Sequence, residues 1–350
     1  MKHMVHPHSP YRIFAFSAIS TLAILAWVLG AMGPSALLVT ATLVIIETAF
    51  SFDNAIINAK ILTRLSKFWQ NMFLTVGILI AVFGMRIIFP VILVMITAGL
   101  SWSEVVSLAL NNPEAYAHEL ELAMPTISAF GGAFLLMLAL HFFLDDSREV
   151  HWLARIERPI QKLAGKFSAI LMAGVVIGIF ALLPMNDHPG TTLKAGALGV
   201  LTYTVLHGLT ILIEKTQKKP KRDKQGNPLP LVGWAAFSTF IYLEFLDASF
   251  SFDGVLGAFA ITSQVALIAA GLGVGALWVR SLTVFMVRRG TLSQYKYLDH
   301  GAHYTVGVLA LILFASAFGH LPELLTGALG LSFIVASIVA SVKARKAMKV

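Results

Sequence analysis

Long apolar stretches, separated by short polar connections, run along the whole 350-residue chain. A bilayer span needs about 20 predominantly apolar residues. That length places spans at 11–32, 36–62, 70–99, 126–144, 168–184, 194–213, 234–262, 264–287, 302–319 and 321–342. The pattern predicts an all-α integral membrane protein of about ten transmembrane helices. The stretch 11–32 exceeds the roughly 7–15 residues of a signal-peptide core, so it counts as a span.

Composition agrees. Hydrophobic residues make up 57% and charged residues 13%, with a mean hydropathy of +0.79, whereas soluble domains carry roughly a quarter charged residues. There is no cysteine, which excludes disulfides, thiolate metal sites and thiol catalysis. The net charge of +8 falls in short runs such as Lys215 to Lys224 and Lys343 to Lys349. That distribution reads as topology rather than as a nucleic-acid surface.

With the N-terminus inside, the inner loops collect the bases. Arg64 and Lys67 come first, then Arg148, Arg155, Arg158, Lys162 and Lys166, then the Lys215 run, then Arg288, Arg289 and Lys296, and finally the C-terminal tail. The longest outer loop, 100–125, holds Glu104, Glu114, Glu119 and Glu121 instead. Both termini are therefore expected to be cytoplasmic, in a multi-pass protein of the cell inner membrane. The Pro-punctuated segment 215–232 reads as a cytoplasmic linker between halves, or as a binder of anionic lipid. The chain is then one membrane domain, 1–350. A first half at 11–214 contains a core repeat at 36–145, and a second half at 233–350 contains its counterpart at 233–342.

The repeat is visible in the letters. Glu47-Thr-Ala-Phe-Ser-Phe-Asp53 and Asp247-Ala-Ser-Phe-Ser-Phe-Asp253 align at an offset of 200 residues. In each half an apolar helix with one arginine follows, carrying Arg86 or Arg280. The copies fall on the second and seventh spans, an odd number apart, so they cross in opposite directions. That is an inverted-topology repeat, which brings matched residues together near the midplane.

A carboxylate at the bilayer centre costs about 2.5–3.5 kcal/mol on insertion scales. Glu47, Asp53, Asp247 and Asp253, with Glu244 as a fifth acid, must therefore face the bundle interior. At about 100° per residue, Glu47, Ser51, Asn54 and Asn58 form one oxygen-rich stripe. Asp53 lies about 120° away from it on a continuous helix. Either Asp53 faces a different neighbour, such as Arg86, or the helix unwinds around Ser-Phe-Asp, with Gly254 easing the break in the second copy. Oxygen ligands without cysteine suit Mn, Mg or Ca. Two carboxylates from each half, Glu47 and Asp53 with Asp247 and Asp253, would match a divalent charge, and Ser51, Asn54, Asn58, Arg86, Glu244, Ser251 and Arg280 are the polar or counter-ion groups around them. The bland alternative is an inert salt-bridge core in which the two arginines neutralise two acids. The arginines are counter-ions, gate elements or an anion site.

The histidines carry a weaker signal. His141, His207, His303 and His320 lie in or near spans, where a lone imidazole is more often a hydrogen-bonded helix contact. His141 stands four residues before Asp145 on one face. His300 and His303 read as an interfacial cap, and His3, His6 and His8 as a disordered tail. Asn186-Asp187-His188-Pro189 reads as a turn in preference to a metal vestibule. Trp69 and Trp102 read as interface anchors, and Gly271-Leu-Gly-Val-Gly275 as close helix packing.

The segments Glu47-Thr-Ala-Phe-Ser-Phe-Asp-Asn-Ala55 and Ser251-Phe-Asp-Gly-Val255, each followed by an intramembrane arginine, resemble the TerC family of integral membrane proteins. The likeness covers roughly 40–145 and 233–342, in the manner of a less characterised TerC-related branch. It implies a relation to tellurium resistance and to a superfamily of lysine and metal exporters, some relatives exporting manganese. It implies that Glu47, Asp53, Asn54, Asp247 and Asp253 form the ion site. Asp253 is followed by Gly254, so no amide matches Asn54 in the second copy. The expectation is a secondary transporter of divalent cations, manganese favoured. Its partners are the lipid bilayer and the metal ion, with no tightly bound cofactor, and the oligomeric state stays open. No nucleotide-binding motif and no hydrolase motif is present, so the chain is not expected to be an enzyme. The competing expectation is a membrane scaffold or metal- and stress-sensing protein without transport.

Overall fold

The computed structural model describes residues 10–216, 229–262, 264–289, 295–316 and 323–347. Within these, the side chains of Asp53, Arg86, Ser251 and Asp253 lie outside the described set, as do His3, His6, His8, His320 and most of the basic linker.

The described elements are helices. The first half holds α1 (Pro10–Phe50), α2 (Phe52–Leu62) and α3 (Lys67–Leu79). A π-helical segment (Ile80–Ile88) follows, then α4 (Phe89–Ala98), α5 (Trp102–Asn111) and α6 (Pro113–Phe143). After α7 (Ala154–Gln161) come α8 (Ser168–Leu182) and α9 (Pro189–Thr216). The second half holds α10 (Gly233–Ile261), α11 (Val265–Arg289), α12 (Leu298–Ser316) and α13 (Glu323–Ala347). The described residues of each of the ten expected stretches lie mostly on helix. Among the described residues six helices are long and apolar enough to cross a bilayer, or seven with the pair α4 and α5, which is bent by 115°. The expected outer loop 100–125 is itself helical, formed by α5 and the start of α6.

Helix α1 has 41 residues, about 60 Å at 1.5 Å per residue, twice a hydrocarbon core. It does not run straight. Gly33 adopts φ 88° and ψ −179°, with Pro34 directly after it. Contacts with α11 show the reversal. Before the glycine, Ser17 Oγ donates to the Leu277 carbonyl at 2.9 Å, and Val28 clusters with Leu267. After it, Ala36 joins that Leu267 cluster and Glu47 reaches Gly275. The chain therefore climbs α11 in one direction and descends it in the other, as the two expected spans 11–32 and 36–62 require.

Helix α6 is the centre of the bundle. Most of its residues from Ile127 to Phe143 are buried, against α8, α9 and α12. The peripheral helices do the opposite. Ile19 and Leu22 on α1, Leu171 and Leu182 on α8, and Leu201 on α9 are exposed. Apolar surface of that extent is stable against lipid, not water. The two halves are tied at one end. Leu65, just past α2, bridges Leu231, just before α10, with Leu231 N–H donating to the Arg64 carbonyl at 2.8 Å.

Candidate functional site

The first copy of the repeat spans the junction of α1 and α2, and the second lies within α10. The junction is Ser51, whose φ −88° and ψ 20° depart from helical values. The helical bonds nevertheless continue through it, Ser51 N–H to the Glu47 carbonyl at 3.1 Å and Ala55 N–H to the Ser51 carbonyl at 3.2 Å. The expected easing of a break at Gly254 does not occur. Helix α10 runs unbroken from Gly233 to Ile261. Gly254 serves closeness instead, because a Cβ there would lie 2.8 Å from Glu47 Oε2.

The oxygen-rich stripe faces inward, with Ser51 half-buried. Glu47, Asn54 and Asn58 are buried, and Ser51 Oγ donates to Glu47 Oε1 at 3.3 Å. Asn58 Nδ2 donates to Asn54 Oδ1 at 2.7 Å. Both amides then cross to the second copy, Asn54 Nδ2 and Asn58 Nδ2 each donating to Asp247 Oδ1 at 3.0 Å. Glu47 lies at Gly254 while Asn54 and Asn58 lie at Asp247, so the two helices run antiparallel.

Arg280 on α11 completes this side. It is 2% exposed, and its Nη2 lies 3.1 Å from Asp247 Oδ2 and 3.4 Å from Glu244 Oε2. Nη1 donates to the Phe73 carbonyl at 2.6 Å, and the guanidinium sits 4.0 Å over the Phe73 ring. A charge so deeply buried persists only with such partners. Arg280 Nε, Glu244 Oε1 and Asn58 Oδ1 are buried without a hydrogen-bond partner. Gly77 makes room for the pair, since a Cβ there would collide with the Glu244 carboxylate and come within 2.6 Å of Arg280 Nη1. Gly275 does the same beneath Glu47. The sequence names Gly275 only within the close-packing run Gly271–Gly275 and does not single out Gly77. What they pack against was not readable in it.

The structure thus brings together Glu47, Ser51, Asn54, Asn58, Glu244, Asp247 and Arg280. The backbone puts Asp53 on α2, Asp253 on α10 and Arg86 in the π-helical segment, their side chains lying outside the description. Among the described residues no group of three His, Asp or Glu side chains is arranged to hold a metal.

The histidines resolve differently. His303 stacks on Phe142 at 3.7 Å, and its Nδ1 lies 2.7 Å from the Asp299 carbonyl. His300 Nε2 lies 2.9 Å from the Val150 carbonyl and 3.4 Å from Glu157 Oε2. Both rings are buried, so they belong to a packed polar cluster and not to an interfacial cap. Glu157 is its fully buried centre, accepting from Leu153 N–H at 3.0 Å. Nothing in the sequence pattern singled Glu157 out. Arg148 leans 3.9 Å over Phe142, and burial lowers its pKa despite the opposing charge of Glu157. His141 does not pair with Asp145, which turns to Ser147. Asn186 forms a turn, accepting from His188 N–H at 2.8 Å and donating to Thr192 Oγ1 at 3.0 Å. Trp69 packs against Phe237 and Phe240, whereas Trp102 is exposed.

The family model described as "Protein of unknown function (DUF475)" matches residues 52–348. The chain is also 32% identical over 83 residues to the "Uncharacterized membrane protein YceF" of Bacillus subtilis (strain 168). That match covers 23% of this chain and 31% of the relative's length. No solved structure matches. The helices and these relatives together make this a multi-pass membrane protein, and it belongs to the family described as "Protein of unknown function (DUF475)".

Proposed function

We propose that the chain is a secondary transporter of divalent metal cations, with manganese efflux the favoured reaction and the site at the crossing of the two acidic helices. One observation carries this. Asp247 of the second copy accepts from both Asn54 and Asn58 of the first, so the two repeats build one buried polar centre. The residue count supports it. Five acids, Glu47, Asp53, Glu244, Asp247 and Asp253, stand against two arginines, Arg86 and Arg280. A divalent cation offsets two of the three excess negative charges, and a coupling proton offsets the third. The carboxylate and amide oxygens suit a hard cation such as Mn²⁺. The resemblance to TerC proteins points the same way and adds tellurium resistance as the physiological setting. The basic loops orient the chain with both termini cytoplasmic in the inner membrane.

A scaffold or metal-sensing protein without transport is the second reading. It has its own observation, because Arg280 already neutralises Asp247 as an inert core would need. Proteoliposomes separate the two. Native protein is expected to move Mn²⁺ down an imposed gradient, and Asp53→Asn, Asp247→Asn and Asp253→Asn are each expected to abolish the flux. Folded native protein that moves no divalent ion removes the transporter reading and leaves the scaffold.

A further inference from the structure

A second polar cluster lies away from the acidic centre, where α6 and α9 approach the basic loops. It lines a cavity of about 490 Å³ whose wall includes His141, Asp145, Lys166, Thr204 and His207. His141 on α6 and His207 on α9 are in contact there, ring centroids 4.7 Å apart at 50°. Tyr203, one turn before His207, stacks on both rings at 5.2 and 5.5 Å and fixes their planes.

The hydrogen of His141 can be placed. Its Nδ1 lies 3.1 Å from the Met137 carbonyl, and a carbonyl only accepts. Nδ1 therefore carries the hydrogen and Nε2 keeps its lone pair. An imidazole held by a carbonyl on one nitrogen is the arrangement that readies the other for a metal. Asp145 is engaged by Ser147 through Oδ1, and Lys166 Nζ is drawn 5.4 Å over the Phe167 ring.

We propose that His141 and His207 form a second cation site, separate from the acidic centre, that takes a borderline first-row divalent ion such as Zn²⁺ or Co²⁺. Two imidazoles suit such ions, whereas Mg²⁺ and Ca²⁺ require oxygen shells. Water completes the shell from the cavity, since no third carboxylate or imidazole converges among the described residues. The site is defined by equilibrium binding, so it does not depend on transport.

The test is a Co²⁺ titration of purified protein in detergent, read by its visible absorption and by equilibrium dialysis. A His3→Ala/His6→Ala/His8→Ala background removes the tail histidines. With the acidic centre disabled by Asp247→Asn, one Co²⁺ is expected per chain, displaced by Zn²⁺ and not by Mg²⁺. It should be lost in His141→Gln and His207→Gln. Should either variant fail to fold, protein with both histidines intact decides. Zn²⁺ is then expected to protect both imidazoles from diethylpyrocarbonate, mapped by mass spectrometry. Binding unchanged by both substitutions, binding lost in Asp247→Asn alone, or no protection by Zn²⁺ overturns the proposal.

Discussion

Arg280 shows how a single charge organises this membrane core. Its guanidinium serves three acceptors, the Phe73 carbonyl, Glu244 and Asp247, at 2% exposure. Removing one member of a buried pair strands the other, at about 3–5 kcal/mol. Arg280→Ala is therefore expected to lower the thermal midpoint of detergent-solubilised protein steeply. Arg280→Lys should fall between the two, since a compact ammonium cannot reproduce the planar fork. Midpoints indistinguishable from native would show that the pair contributes nothing to folding. The acids were legible as letters because a carboxylate in an apolar run has a known cost. Arg280 was legible as a possible counter-ion but not with its acids named, because its partners depend on how α11 rotates against α10. Gly77 and Gly275 were harder still, since a glycine's role lies in whatever side chain occupies the space above it.

Among the elements, α1 tests local backbone geometry. Gly33, at φ 88° and ψ −179°, sits in a region essentially reserved for glycine, where another residue costs about 1–3 kcal/mol. Gly33→Ala is expected to reduce the yield of folded, monodisperse protein on size exclusion. Gly30→Ala, three residues earlier, is the matched control. A Cβ at either position meets nothing within 4 Å, and only Gly33 has positive φ. Equal losses in both would assign the effect to helix packing, and no loss in either would mean that the reversal tolerates any residue. Hydropathy made this pair of spans legible as 11–32 and 36–62, while the residue that reverses the chain, Gly33, was not named by it. The irregularity expected around Ser-Phe-Asp is present in one copy only. The first copy departs from helical values at Ser51, within that segment, whereas α10 continues through Gly254. A glycine permits a break, but packing decides. Here Gly254 is needed small because Glu47 lies against it.

For the whole molecule, the inverted repeat is a statement about which ends meet. The end of the first copy's helix and the start of the second's are joined by the Leu65–Leu231 bridge, and Asn54 and Asn58 reach Asp247 along the same crossing. Two helices whose contacts run in opposite order must leave the bundle at opposite ends. Thr63, past the end of α2, and Gln264, past the end of α10, are both exposed and mark those ends. The chain has no cysteine, so a single introduced thiol reports its own side without background. In the proposed orientation, the basic residues Arg64 and Lys67 beside Thr63 put it on the cytoplasmic side. Thr63→Cys is then expected to react with a membrane-impermeant maleimide only in inverted vesicles, and Gln264→Cys only in right-side-out vesicles. Labelling of both from one side would make the copies parallel and remove the symmetry on which the shared acidic centre rests. A clean exchange of sides would keep the repeat and reverse the orientation, moving both termini outside and the His141–His207 cavity with them.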